Sequence, residues 1–145
     1  MLALLLAAAL DLASPPAHDL ASPQAHFWFA ELLADGGYGR LGRERAAFLI
    51  REDDGTLTLE PWPGGGFRHA TFRGAVPPRT IAILHTHPAN APQPSAHDVA
   101  EAKRLGIAIV VITPESVIAT TAGRTRVLSS GRIRGPSAPR TSLRR

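Results

Sequence analysis

Apolar and polar positions follow two rhythms along this chain, and the rhythm changes wherever turn residues intervene. Ser22-Pro23 reads as an N-cap followed by proline at the first helical position. Phe27, Phe29, Ala30, Leu32 and Leu33 then supply an apolar side until Gly36-Gly37 end the helix. Ala46 to Ile50 is an unbroken apolar run and predicts a buried strand. Asp53-Asp54-Gly55 is a hairpin turn, and Thr56 to Glu60 alternates as its partner strand should. Gly64-Gly65-Gly66 turns the chain into a further strand, Phe67 to Phe72, and after Pro77-Pro78 comes a core strand, Thr80 to Leu84. Residues 96–105 predict a helix with Val99, Ala102 and Leu105 on one side, stopped by Gly106. Ile107 to Thr113 is the next core strand. Val117 to Thr121 and Arg124 to Leu128 close the fold as a hairpin about Ala122-Gly123. The order predicts a mixed α/β domain: a largely antiparallel sheet, a leading helix, and a second helix between core strands.

The two ends read differently. Met1 to Ala13 is apolar except for Asp11 and resembles the apolar part of a secretory signal, but the first basic residue is Arg40. A signal, a mis-called start and an N-terminal helix are the open readings, so the location is cytoplasmic, or exported if residues 1–13 act as a signal. LASPPAH at 12–18 is echoed by LASPQAH at 20–26, too short a duplication for a repeat architecture; it reads as copied linker, His18 included. The expected organisation is an apolar segment and linker over 1–21, one domain over 22–128, and a basic tail over 129–145.

Charge sharpens that division. The net charge of +4 hints at nucleic acid, but Ser129 to Arg145 holds five of the 16 basic side chains and no acid. Without that segment the body carries −1, so no nucleic-acid partner is expected. No apolar run is long enough to cross a bilayer. The chain has no cysteine, which excludes disulfides and thiolate metal sites; any metal is held by imidazole and carboxylate.

Such groups gather in HTHPANAPQPSAHD, residues 85 to 98. His85 and His87 are two apart at a strand end, so both imidazoles leave the same face of the sheet, and Pro88 ends the ladder beyond them. Ser95 then starts a helix with Asp98 in its first turn. A strand end meeting a helix start can present two imidazoles and one carboxylate to one ion, leaving a fourth position for water, as in catalytic zinc sites. Ser95-x-x-Asp98 also reads as a capping box, which needs no metal. The full spacing His-x-His-x7-Ser-x2-Asp arises by chance in about 5 of 10,000 chains of this composition, so the combination outweighs its parts.

That spacing, with His85-Thr86-His87-Pro88, Ser95 and Asp98, resembles the JAMM motif of the JAB/MPN metallopeptidase domain, in its compact bacterial form, over about residues 22 to 128. The resemblance implies a JAB/MPN-like, cytidine-deaminase-like architecture and a zinc ion held by His85, His87 and Asp98. It implies that Ser95 supports the reacting oxygen and that a glutamate before the first core strand is the general base. Glu44, in Glu44-Arg45-Ala46-Ala47-Phe48-Leu49, resembles that family's Glu-x-Cys-Gly-x-Leu pattern, with Ala46 and Ala47 in place of cysteine and glycine; Glu31, Glu52 and Glu60 are its rivals. The implied activity is zinc-dependent hydrolysis of an amide bond. Its substrate would be a peptide or small protein, for example a ubiquitin-like or sulfur-carrier protein, or a cell-wall or extracellular peptide if the chain is exported. A non-catalytic binding scaffold of the same fold is the alternative. His97 is expected to face outward and His69 to be a strand residue; the oligomeric state is not readable.

Overall fold

The computed structural model describes residues 17–40, 42–62 and 74–135. The strand expected over Phe67 to Phe72, with His69, lies outside these residues, as do the apolar run Met1 to Ala13 and the last ten residues. Among the described residues, Ala17–Leu20 (α1) and Pro23–Asp35 (α2) precede strands Ala46–Arg51 (β1), Leu57–Pro61 (β2) and Thr80–Thr86 (β3). Helix Ala96–Leu105 (α3) follows, then strands Ala108–Ile112 (β4), Ser116–Thr121 (β5) and Arg124–Ser130 (β6). The sheet order is β2-β1-β3-β4-β5-β6. Every neighbouring pair is antiparallel except β3–β4, which α3 joins as a parallel crossover. The expected mixed, largely antiparallel sheet with two main helices is the observed one.

Alternation along the strands divides two cores. Ala47, Leu49, Ala82, Leu84, Val110 and Val117 face α2, where Phe29, Leu32 and Leu33 cover them. Phe48, Ile50, Ile83 and Ile109 face α3 and pack with its Ala102. Phe27, expected on the apolar side of α2, is instead 47% exposed, because the helix's buried stripe runs through Ala25, Phe29, Leu32 and Leu33. On α3 the stripe toward the sheet is Asp98, Ala102 and Leu105, while Val99 is 37% exposed. A carboxylate thus holds the place that periodicity assigned to valine.

The folded region also reaches beyond the expected limits at both ends. Leu20 is buried in the α2 core, and Asp19 accepts from the Arg51 guanidinium at 2.7 Å. At the other end β6 runs to Ser130, and the amides of Gly131 and Ile133 donate to Glu115 and Pro114 carbonyls.

At Leu57 the β2 edge of the sheet is covered by side chains of α2. Leu57 N–H donates to Gln24 Oε1 at 3.0 Å, and its carbonyl accepts from Trp28 Nε1 at 2.8 Å. Both backbone groups that Leu57 would leave to water at an open strand edge are therefore taken by the helix. Trp28→Phe keeps the ring but removes the donor, and is expected to lower unfolding free energy by about 1 kcal/mol. Urea denaturation of the two proteins measures this; equal stability would show that water replaces the indole without cost.

Candidate metal centre

Two strands and one helix converge at the C-terminal end of β3. Ala46 pairs with His85, and continuing that register outward sets Glu44 opposite His87. Glu44 shares the parity of Ala46 and Phe48, so its side chain emerges on the α3 face, where the alternation of β3 also puts His85 and His87. One ligand atom from each of Glu44, His85 and His87 lies within 4.8 Å of the others. The two imidazoles meet edge to face with centroids 4.6 Å apart.

Asp98 enters from α3 and reaches the group through His85, its Oδ1 lying 3.3 Å from His85 Nε2. Its other oxygen, Oδ2, is taken by Ser95, whose backbone N–H donates at 2.6 Å and whose hydroxyl donates at 2.7 Å. Ser95 Oγ in turn accepts from the Asp98 N–H at 3.2 Å, completing a capping box at the start of α3. The helix begins where it does because this pair satisfies its end, and the same pair leaves Oδ1 turned toward the imidazoles. Burial alone would raise the Asp98 pKa. The contact with His85, the charge His85 carries when protonated, and the two bonds from Ser95 outweigh burial and hold the carboxyl well below its ordinary range.

The imidazole nitrogens are prepared unequally. His87 Nδ1 lies 2.9 Å from the Ala91 carbonyl, which requires a proton on Nδ1 and leaves Nε2 with its lone pair in the neutral ring. A bond from one ring nitrogen to a backbone carbonyl is the usual support of a histidine that binds metal through the other. His85 Nε2 is buried, and Asp98 Oδ1 stands 3.3 Å from it in an ion-pair contact without an aligned hydrogen bond. A buried ring nitrogen beside a carboxylate, on a ring packed against a second imidazole, fits a divalent ion of the zinc type, which takes nitrogen and oxygen donors.

The other glutamates stand elsewhere. Glu31 is on α2, across the sheet; Glu52 binds Thr58 and Arg79; Glu60 is exposed on β2. His97 is exposed on α3. Ser95 keeps its single hydroxyl proton on Asp98, so donating to a substrate oxygen requires that bond to open. Sequence reasoning passed over Thr86, which lies between the histidines on the opposite face and accepts from the Arg45 N–H at 2.9 Å. The signal was available: a hydroxyl whose parity turns it into an otherwise apolar core needs a partner there.

Among curated proteins, none matches the chain. The family model for prokaryotic homologues of the JAB domain matches residues 36–128, from the end of α2 through most of β6. That span contains Glu44, His85, His87, Ser95 and Asp98, and it is well over half of the sequence. The chain therefore belongs to the family of prokaryotic homologues of the JAB domain.

Proposed function

We propose that this domain is a zinc-dependent hydrolase of amide bonds, a peptidase or isopeptidase, with His85, His87 and Asp98 as the residues that hold the ion. The observation that carries the reading is the convergence of Glu44, His85 and His87 within 4.8 Å, with Asp98 Oδ1 3.3 Å from His85 Nε2. When bound, the ion supplies Lewis acidity, which polarises an amide carbonyl and makes water acidic enough to attack near neutral pH. Glu44 is half-buried, reachable by solvent, and accepts the proton that the attacking water loses. The same carboxylic acid returns the proton to the leaving amine, so one group serves as base and then as acid. Asp98, kept anionic by its surroundings, supplies negative charge to the ion in place of a protonated acid. Ser95 holds that carboxylate, and its hydroxyl turns to the carbonyl oxygen when its bond to Asp98 opens. The proposed substrate is a peptide or small protein, such as the C-terminal linkage of a ubiquitin-like or sulfur-carrier protein.

Metal analysis is expected to find about one zinc per chain. Glu44→Gln is expected to keep the zinc and lose hydrolysis by roughly 10²- to 10⁴-fold, whereas Asp98→Asn loses the zinc. Loss of zinc from Glu44→Gln would instead make Glu44 a ligand, and full activity would end its role as base. A wild-type protein that binds zinc and hydrolyses no peptide or protein amide would favour a binding scaffold.

Ser95→Ala removes the cap, and is expected to cost about 1 kcal/mol of stability in denaturant unfolding. Because Asp98 then loses its support, zinc affinity should fall about tenfold in competition with a chelator. Unchanged affinity would confine Ser95 to capping.

The depressed Asp98 pKa gives a sign for pH dependence. Folding favours the ionised carboxylate, so its stabilisation is full above the unfolded value of about 3.9 and disappears as pH falls through the lower folded value. In the metal-free protein, wild type should lose stability below about pH 4 more steeply than Asp98→Asn, followed by denaturant unfolding at stepped pH. Parallel curves would show that Asp98 titrates alike in both states.

A further inference from the structure

The last rung between β1 and β3 is not an ordinary one. Thr86 N–H donates to the Arg45 carbonyl at 2.9 Å, as an antiparallel pair requires. The reciprocal bond from Arg45 N–H goes to the Thr86 side-chain hydroxyl at 2.9 Å, where a ladder would use a backbone carbonyl. The next residue bonds the other neighbour, as alternate residues of an interior strand do, with His87 N–H donating to the Ile112 carbonyl of β4. The hydroxyl therefore completes the attachment of β1 at its N-terminal end, just before Ala46.

We infer that Thr86 is a positioning residue for Glu44: its hydroxyl, by holding the Arg45 amide, sets the adjacent glutamate at its working distance from His85 and His87. The inference rests on the hydrolase reading proposed above for this site. Thr86 is 1% exposed, and its side chain lies on the α2 face, opposite the imidazoles, so it touches neither ion nor substrate. Its surroundings are tight. A Cβ added at Gly36, the C-cap of α2, would stand 3.1 Å from Thr86 Oγ1 and 3.4 Å from the Arg45 Cγ, so the helix end packs directly on the link. Arg45 is anchored a second time by the approach of its Nε to Asp35 of α2 at 3.0 Å. Together these contacts leave residue 45 fixed to the strand that carries both histidines. Glu44, one residue earlier, inherits its position from that attachment.

The residue type matters for a stated reason. Valine has the shape of threonine without the acceptor, so Thr86→Val leaves the Arg45 N–H without its bond while filling the same space; serine keeps the hydroxyl and drops only the methyl group. A displacement of about 1 Å at a reacting group costs on the order of 10²-fold in rate.

The test uses the full chain and zinc. Thr86→Val is expected to lower kcat about 10- to 100-fold with KM within about threefold of wild type. Zinc affinity should stay within about threefold, because His85, His87 and Asp98 are not displaced. Amide hydrogen exchange at Arg45 should be slow in wild type, comparable with β1 core amides, and fast in Thr86→Val; Thr86→Ser should restore exchange and kcat. Full activity in Thr86→Val, or Thr86→Ser as impaired as Thr86→Val, would overturn the inference. So would a rapidly exchanging Arg45 amide in wild type, a readout that needs no variant to fold. If wild type hydrolyses no amide, the hydrolase reading fails. The exchange pattern in zinc-loaded wild type, Thr86→Val and Thr86→Ser then still decides whether Thr86 holds the Glu44 segment.

Discussion

The register of β1 against β3 is the constraint on which the site depends. Side chains in strands alternate with a period of two, so the pairing of Ala46 with His85 settles which face each neighbouring side chain takes. In this register Glu44, His85 and His87 emerge together on the α3 face, and Arg45 and Thr86 on the α2 face. A slip of one residue would send Glu44 to the opposite side of the sheet and bring Ala47 and Leu49 out of the α2 core. The apolar demand of that core, filled by Phe29, Leu32 and Leu33, therefore specifies the geometry of a polar site on the other face. Packing and chemistry are coupled through the pleat, without a contact between them.

The parallel pairing of β3 and β4 has a similar consequence. A parallel neighbour requires a crossover, and here the crossover is α3. Its N-terminus returns to the end of β3 that bears the histidines, so the first helical turn is the part available to them. Asp98 meets two needs there, accepting from Ser95 at the helix start and turning Oδ1 to His85. The helix dipole adds to this, since an anion in the first turn is favoured. A leucine in its place would pack against the sheet but leave the Ser95 N–H without its side-chain acceptor and His85 without a charge beside it.

Much of this was legible from residue order. The unbroken runs Ala46 to Ile50 and Thr80 to Leu84, the Asp-Gly hairpin turn and the Ser-Pro helix start carry local signals strong enough to place elements. Glu44 was found by its resemblance to a family pattern, but its parity with Ala46 and Phe48 is a physical route to the same residue. Order conveyed most of each helix's inward stripe, Phe29, Leu32 and Leu33 on α2 and Ala102 and Leu105 on α3, but not its edge. Phe27 and Val99 read as core, yet α2 and α3 are rotated so that Ala25 and Asp98 take the inner positions. Hydrophobic periodicity weighs side chains by polarity, and a carboxylate held by its own cap escapes that weighting. The role of Thr86 was equally hidden, because a threonine in a strand is ordinarily explained by propensity alone. The edges of the fold were hidden for another reason: Leu20 lies in a short duplication that reads as linker and Ile133 between two arginines, and only packing reveals them.

Membership of a fold family does not decide between an enzyme and a scaffold, because function belongs to the site. The arrangement at His85 bears on that choice. For packing alone, a buried imidazole nitrogen set against a carboxylate at 3.3 Å without an aligned hydrogen bond is a costly choice beside an apolar side chain. The cost is removed if the nitrogen donates its lone pair to an ion, with Asp98 opposite and His87 already committed through Nδ1 to a backbone carbonyl. Residues that serve only packing have no reason to be prepared in this way. A half-buried Glu44 at the same point adds a group able to exchange protons with solvent, which a purely structural metal, closed by four ligands, does not need. The balance of costs within the site is thus the physical support for the metal-centre reading proposed above.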